Sequence, residues 1–369
     1  MKIKFKNPLP GIIRWIKQHY IMLLICLGIT GIVGGSLYLL HSDINKRTEG
    51  KGVEINIPEV VIHHLADSYD WHFATWNDTH LTIHLPVIIR SNATGEWHIC
   101  TTQTLPEGFY LDENHHDKVY EKMPDGTSER PLDLSITKLV AQLMLTVILL
   151  LVLFLSCARW YKKRDETSAA PGGIVGVMEM LVMYIHDDVI RPNVGEHQYK
   201  KYAGFLLTLF FFIFTTNLLG LIPGAANVTG NINVTLFLAL CTMLAINLFG
   251  NKLYWKDIFN PHVPWWLKFP IPLMPAIELF GIISKPFALM IRLFANMMAG
   301  HAVMLSFTCV IFFGTTLGVI GGEAMNLFSI VMLLFMYALE VLVAFVQAYV
   351  FTLLSSVFIG LAHVEEHAE

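Results

Sequence analysis

The chain has 369 residues, of which 54% are hydrophobic and 15% are charged, and its formal net charge is −4 at pH 7. Soluble domains usually carry about 25% charged residues, so this composition nearly excludes a water-soluble enzyme. The sequence has no basic block and no phosphate-binding loop of the GxxxxGKS/T type, so neither nucleic-acid binding nor nucleotide chemistry is indicated on this chain.

Residues 1–40 predict a basic leader followed by a first membrane helix. The apolar run Tyr20–Leu40 has about the 20 residues that a helix needs to cross the bilayer core. The leader before it carries only basic charges, so the positive-inside rule places residue 1 in the cytoplasm. A cleaved signal peptide has the same layout. Because the apolar run exceeds the usual length of about 7–15 residues and lacks a clear A-x-A cleavage site, we favour a retained anchor.

Residues 41–135 predict a small β-rich insert outside the cytoplasm. Within it, the apolar residues Leu81, Ile83, Leu85 and Val87 alternate with other residue types, which is the period of a strand with one buried face. Nine of the 16 histidines of the chain lie in the insert. Their spacings match no standard ligand pattern, so the sequence predicts no metal site.

Residues 136–369 predict a membrane domain, which begins with three crossing helices. These are Leu139–Ala158, Ala203–Ile222 and Ile232–Gly250. Basic residues follow the first and the third of them, so both of these ends are predicted to be cytoplasmic. Between the first and second, Gly173–Ile190 mixes apolar residues with four charged or titratable ones and predicts an amphipathic helix on the membrane surface.

Two longer apolar segments, Pro272–Phe313 and Glu323–Ala362, complete the chain. Each has about 40 residues, which as a helix is about 60 Å long, or twice the thickness of the hydrocarbon core. Breaking the first at Pro286 would leave a piece too short to span. We therefore expect two strongly tilted helices joined as a hairpin, with the turn in the glycine cluster Gly314, Gly318, Gly321 and Gly322.

The first of these helices carries a polar stripe. Glu278, Lys285 and Arg292 are spaced seven residues apart and Asn296 follows four residues later, so all four lie near one line of the helix. An arginine at the centre of a membrane helix costs about 2.5–3.5 kcal/mol and usually faces a partner, a water cavity or an ion path. The stripe is therefore the first candidate for a functional site.

The hairpin turn predicts which residues lie at the same depth. If the turn is centred near residue 320, His301 lies at the same depth in the membrane as Glu340, and Arg292 at the same depth as Gln347. Arg292 and His301 lie on opposite faces of an ideal helix, whereas Glu340 and Gln347 share one face. Depth alone therefore leaves open which of these side chains meet.

The segment Leu289–His301, LMIRLFANMMAGH, with Ser284-Lys285-Pro286 before it, resembles the a subunits of F-type ATP synthases. The segments NLLGLIP at Asn217–Pro223, NVT at Asn233–Thr235 and QAYVF at Gln347–Phe351 support this resemblance. Together they cover about residues 135–367. The arginine motif is highly specific, whereas the insert and the helix before it are absent from the short members of the family.

The resemblance implies that several polar residues take part in proton translocation. Arg292 matches the family's essential arginine, which faces the ion-binding carboxylate of each c subunit and stays protonated at any working pH. Glu278 matches the carboxylate of the cytoplasmic half-channel, and His301 and Glu340 match an interacting polar pair. Asn296 and Gln347 match polar positions near the arginine contact, and Asn217 matches a polar position on the other side. For Lys285, snorkelling to the membrane interface is favoured over a role in transport. Interhelical hydrogen bonding is the alternative role for most of these residues.

The sequence thus predicts an all-α polytopic membrane protein with a small β-rich extramembrane insert near the N-terminus. By resemblance it is a proton-translocating, non-catalytic stator subunit of the CF(0) sector, without cofactor or metal. Its partners would be the c-ring, the b subunits of the peripheral stalk, the rest of the ATP synthase and membrane lipid. Its location would be the bacterial cell inner membrane, with the insert in the periplasm and the C-terminus in the cytoplasm. The alternatives are a secondary transporter or cation channel with a charged site at the membrane midplane, and a non-conducting scaffold.

Overall fold

The structure is a computed structural model that describes residues 67–76, 79–112, 118–123, 127–163, 171–196, 198–222, 224–259, 273–314 and 319–363. Along this part of the chain, eight short strands are followed by eight α-helices. The predicted first membrane helix, Tyr20–Leu40, and the first part of the insert, residues 41–66, lie outside the described residues.

The described part of the insert forms three small antiparallel sheets. Strand β3 lies between β4 and β8, β6 lies between β5 and β7, and β1 pairs with β2. The strands are β1 (Asp70–Trp76), β2 (Thr79–His84), β3 (Val87–Arg90), β4 (Trp97–Cys100), β5 (Phe109–Asp112), β6 (Lys118–Lys122), β7 (Ser128–Glu129) and β8 (Leu132–Asp133). Among the described residues, an apolar cluster of Tyr69, Val87, Ile89, Cys100 and Val119 forms the core of the insert.

The alternation at Leu81–Val87 does not form one strand with one buried face. Strand β2 ends at His84 and β3 begins at Val87, with Pro86 between them. Because proline has no N–H to donate to a ladder, it separates the two strands. Leu85 and Val87 are buried, but Ile83 is 51% exposed, so the prediction of a common buried face was wrong at Ile83.

The helices of the membrane domain begin where the insert ends. They are α1 (Lys138–Lys162), α2 (Gly173–Tyr184), α3 (Arg191–Val194), α4 (Tyr199–Gly220), α5 (Ile232–Phe249), α6 (Lys252–Phe259), α7 (Leu273–Gly314) and α8 (Val319–Leu361). Among the described residues, three helical stretches are long and apolar enough to cross a membrane, namely Lys138–Lys162, Tyr199–Gly220 and Ala324–Leu361. Ile232–Leu248 is a shorter apolar helix.

Helix α4 lies at the centre of the packed helices. Its side chains Leu206, Phe210 and Ile213 are fully buried. They belong to one apolar cluster that also contains residues of α5, α7 and α8. Such burial on several sides matches the nearly continuous apolar sequence of this helix.

The predicted surface helix Gly173–Ile190 is instead two elements. Helix α2 ends at Tyr184, and a π-helical segment, Ile185–Ile190, follows it directly. Ile185, Val189 and Ile190 are fully buried in the same cluster as α4. The carboxyl-terminal third of the predicted surface helix is therefore part of the packed core, because its apolar residues contact α4 and α8.

Helices α7 and α8 pack side by side as an antiparallel hairpin. Helix α7 continues through Pro286 without a break, so the interpretation of a single long helix holds. Its buried residues Leu289, Leu293 and Met297 recur every four positions, which places them on one face. Helix α8 begins at Val319, so Gly321 and Gly322 lie inside it and the turn is shorter than the glycine cluster predicted.

Candidate functional site

His301 on α7 and Glu340 on α8 lie together between the two long helices. The Nδ1 atom of His301 is 3.8 Å from Oε1 of Glu340, and the two side chains are 13% and 3% exposed. Gly300 makes this approach possible, because a Cβ atom at that position would overlap the Glu340 carboxylate. The structure thus brings together the two residues that sequence placed at the same depth.

Two backbone carbonyls also contact the His301 ring. Nε2 is 3.0 Å from the carbonyl oxygen of Gly220 at the end of α4, and Nδ1 is 3.1 Å from that of Met297. A neutral imidazole donates from one nitrogen only, whereas an imidazolium donates from both. The arrangement is therefore suited to a histidine that accepts and releases a proton beside a carboxylate.

Asn217 lies one turn before Gly220 and is fully buried. Its Oδ1 accepts a hydrogen bond of 2.7 Å from the hydroxyl of Thr229, in the loop between α4 and α5. In the same loop, Nδ2 of Asn227 donates to the carbonyl oxygen of Met297 at 3.2 Å. Asn217, Asn227, Thr229, His301 and Glu340 are called the His301 cluster below.

Two buried polar atoms of this cluster have no hydrogen-bond partner within the described residues. They are Nδ2 of Asn217 and Oε1 of Glu340. An unsatisfied buried polar group costs about 1–3 kcal/mol, so such positions usually serve a purpose or bind water. Both atoms could therefore form a hydrogen bond with a group outside the described residues, such as a water molecule.

Sequence analysis missed Asn227, Thr229 and the two glycines of this site, Gly220 and Gly300. The available signal was the concentration of polar residues in the short loop between two strongly apolar helices. That signal did not indicate which helix the loop would contact. The contact between Asn227 and the Met297 carbonyl becomes visible only in the structure, where the loop packs against α7.

Arg292 and Asn296 lie on another face of α7. Both are exposed in this chain, whereas Leu293 and Met297 beside them are buried. Within the described residues Arg292 makes no hydrogen bond or ion pair, and the ion-pair contact of Glu340 is with His301 instead. Gln347 is 5% exposed, and no hydrogen bond joins it to Arg292. The structure therefore does not bring Arg292 and Gln347 together as it does His301 and Glu340.

Glu278 and Lys285 lie toward the opposite end of α7. A small cavity at this end is lined by Asn247, Tyr254, Lys285 and Phe358, among others. The Lys285 amino group is 5.4 Å from the centre of the Phe358 ring, and the Tyr254 hydroxyl donates to Oδ1 of Asn247 at 3.1 Å. Burial, and then the negative charge of Glu278, raise the pKa of Tyr254. Tyr254 and Asn247 are further polar residues that sequence analysis did not select.

The polar groups of α7 therefore form two separate clusters with Arg292 between them. Glu278 and His301 are 23 residues apart, which is about 35 Å along a helix. No hydrogen-bonded path of the described residues joins the two ends directly.

Comparison with known proteins shows which sequence families this chain matches. Residues 142–360 match the sequence model of a family described as ATP synthase A chain, and residues 60–134 match one described as a domain of unknown function. The chain is 44% identical to ATP synthase subunit a 2 of Chlorobaculum tepidum over 243 residues, which are 64% of this chain and 66% of that protein. It is 38% identical to ATP synthase subunit a of Myxococcus xanthus, over 67% of this chain and 78% of that protein. It is 37% identical to ATP synthase subunit a 2 of Chlorobium luteolum, over 84% of this chain and 77% of that protein.

Proposed function

This chain belongs to the ATP synthase A chain family, and we propose that it is the proton-conducting stator subunit of an F-type ATP synthase. Membership makes it a multi-pass component of the membrane sector rather than a catalytic subunit. Neither the transporter or channel alternative nor the scaffold alternative has an observation in its favour, whereas the family match covers the helices that carry the polar clusters.

The observation that carries this proposal is the position of Arg292. It is a permanently charged group, exposed on a long apolar helix, and within the described residues it has no ion-pair partner. Leaving such a charge unpaired in a membrane is costly, so a partner from another chain is expected. A carboxylate of a passing c subunit has the charge and hydrogen-bonding geometry to pair with it.

In the proposed mechanism, protons enter from the outside through the His301 cluster, with Asn217 at its edge. They bind the c-ring carboxylates, travel with the rotating ring and leave near Glu278, where Lys285 lines the cavity. Arg292 draws each returning carboxylate into its ionised form and blocks a direct leak between the two half-channels. Asn296 and Gln347 are proposed to orient groups close to this contact. A charge that crosses 100 mV supplies about 2.3 kcal/mol for ATP synthesis on the catalytic head.

The proposed partners and location follow from the same mechanism. The exposed face of α7 that carries Arg292 and Asn296 would contact the c-ring, and the b subunits would hold this chain against rotation. The basic residues Arg159 and Lys162 at the end of α1 support a cytoplasmic location for that end in a bacterial inner membrane. By alternation the insert is then periplasmic and the C-terminus cytoplasmic.

Replacing Arg292 tests the proposed mechanism. We expect Arg292→Ala to abolish ATP-driven proton pumping in membrane vesicles, because the c-ring carboxylate loses its only permanent counter-charge at this contact. Acidification of the vesicles, followed with a pH-sensitive dye, measures pumping, and the amount of assembled complex is verified in the same membranes.

Ser306→Ala on the same helix is the matched control, and it should retain most of the pumping because the exposed Ser306 hydroxyl, among the described residues, donates to the Ala302 carbonyl of its own helix. If fully assembled Arg292→Ala complexes pump at the wild-type rate, the proposed mechanism is wrong.

A further inference from the structure

Among the described residues, the insert forms hydrogen bonds to the membrane domain at two places. At the first, it joins the beginning of α1, where the carbonyl oxygen of Ser68 accepts a hydrogen bond of 3.0 Å from the Lys138 amide. Oδ1 of Asp67 accepts one of 3.3 Å from the Leu139 amide. The first amides of a helix have no partner within the helix, so these two bonds fix the insert to the end of α1.

The second contact joins the insert to the α4–α5 loop, residues 221–231. The indole Nε1 of Trp71 on β1 donates a hydrogen bond of 2.7 Å to the carbonyl oxygen of Gly224. Trp71 is 9% exposed, so both its ring and its donor are removed from solvent. Gly224 has a φ of +80°, which few other residues adopt, and this conformation shapes the turn that Trp71 holds.

The α4–α5 loop also packs on α1. Ala226 and Val228 are buried in an apolar cluster with Leu139, the second residue of α1. The loop is therefore held from one side by Trp71 of the insert and from another by the first turn of α1, which is itself fixed to the insert.

The opposite side of this loop contacts the groups that surround His301. Asn227 donates to the Met297 carbonyl, which His301 also contacts, and Thr229 donates to Asn217. A shift of the loop would therefore change the partners of the Met297 carbonyl and of Asn217 together. The chain of contacts runs from Trp71 through Gly224 and Asn227 to Met297 and His301.

From this arrangement we propose that the insert is a clamp for the outer half-channel, and that Trp71 is its positioning residue. The clamp holds the α4–α5 loop so that Asn227 and Thr229 keep the His301 cluster in its proton-accepting arrangement. This inference rests on the proposed function, because it gives the insert a task in the proton path. Trp71 itself does not exchange protons.

The first test measures the order of the loop in the intact, purified ATP synthase. Trp71→Phe keeps an aromatic ring but removes the donor to Gly224. Because a single hydrogen bond contributes about 0.5–1.5 kcal/mol, we expect about two- to twelvefold faster amide hydrogen exchange in residues 224–231. Trp97→Phe is the matched control, because Trp97 is a tryptophan of the same insert that is 52% exposed. Exchange in the loop that is the same in both variants would overturn the clamp.

The second test measures passive proton conductance in vesicles whose catalytic heads have been removed. In vesicles that carry the insert on their outer surface, the external pH is varied while the internal pH is held constant. The internal pH is then varied while the external pH is held constant. We expect Trp71→Phe to shift only the external profile, because the described loop residues contact the His301 cluster and do not line the cavity at the Glu278 end of α7. A merely structural role would lower conductance equally in both series, and that result would overturn the proposal.

Two further variants separate the steps of the argument. Asn227→Ala leaves Trp71 and Gly224 in place but removes the donor to Met297 and, within the loop, the acceptor of the Gly230 amide, so it should reproduce the shift of the external profile. An unchanged profile would show that the loop does not act on the His301 cluster. Failure of both Trp71→Phe and Trp71→Ala to assemble would assign Trp71 to folding and overturn the positioning role.

The Arg292→Ala variant distinguishes the two proposals. If it pumps like the wild type, the proton mechanism fails, but the exchange rates of the loop still test the contact with Trp71. If it stops pumping while Trp71→Phe changes neither loop exchange nor the external profile, the mechanism stands and the clamp fails.

Discussion

His301 lies between two backbone carbonyls and the carboxylate of Glu340. Each of these groups stabilises a positive charge on the ring, and the carboxylate also offers a second site for the proton. This chemistry does not require the histidine to be on α7 and the acid on α8. With the two residues exchanged, one proton donor would still lie next to one acceptor.

Exchanging the two residues tests whether they act as a pair. We expect His301→Ala to slow ATP-driven pumping by about tenfold or more, since a positioned acid–base group typically contributes at least that much. Combining His301→Glu with Glu340→His should retain more pumping than either single change. Thr308→Val serves as the control, because the buried Thr308 hydroxyl, among the described residues, donates to the Met304 carbonyl of its own helix. A double variant no better than the worse single change would contradict pairing.

Asp133 in the insert offers a test by pH. Burial raises its pKa, but hydrogen bonds from Ser135 and from the Tyr69 hydroxyl outweigh burial, and the pKa of Asp133 is lowered overall. A carboxylate with a lowered pKa stabilises the folded state above its unfolded pKa of about 3.9 and loses this contribution as the pH falls through the folded value.

We therefore expect amide protection in β3 and β8 to fall as the pH is lowered below about 4, and Asp133→Asn to weaken this dependence. Hydrogen exchange of the intact complex over a pH series, corrected for intrinsic rates, measures it. The exposed Glu107 provides the control variant Glu107→Gln. Equal pH dependence in the wild type and Asp133→Asn would contradict the assignment.

At the scale of elements, the hairpin of α7 and α8 depends on a close approach at Gly300. Apolar residues at intervals of four hold the two helices together, but the Glu340 carboxylate occupies the space that a side chain at position 300 would need. The helix contact and the His301–Glu340 pair therefore require the same glycine.

Gly300→Ala should weaken both features. Forcing a methyl group into packed space costs about 1–3 kcal/mol, so we expect a lower melting temperature of the complex and slower pumping. Gly281→Ala on the same helix is the control, because its Cβ would meet only the Lys285 side chain at an ordinary 3.7 Å. The proposed role of Gly300 is wrong if the two variants melt and pump alike.

At the scale of the whole molecule, the insert contacts the membrane domain both at the start of α1 and in the α4–α5 loop. The insert reaches the α4–α5 loop through Trp71, and the loop reaches α7 through Asn227. A separate soluble module attached by a flexible linker would make no such contacts. The proposed clamp thus concerns how the two parts of the chain act together.

Much of this architecture could be predicted from the sequence because the signals are local. Apolar runs of sufficient length define α1, α4 and α5, and a seven-residue spacing places Glu278, Lys285 and Arg292 along one side of α7. The depth of His301 relative to Glu340 follows from counting residues on either side of a turn. Where local periodicity misled, as at Ile83, the apolar alternation continued across Pro86, which separates β2 from β3.

The sequence by itself determined a membrane protein with two long helices, scarce polar residues at defined depths and a separate insert. Only the tertiary structure decided that His301 meets Glu340, that Arg292 faces away from both, and that Trp71 holds the α4–α5 loop. The physical reason is that hydropathy and helical period fix the length and depth of an element, whereas its rotation and its neighbours depend on packing between residues far apart in the chain.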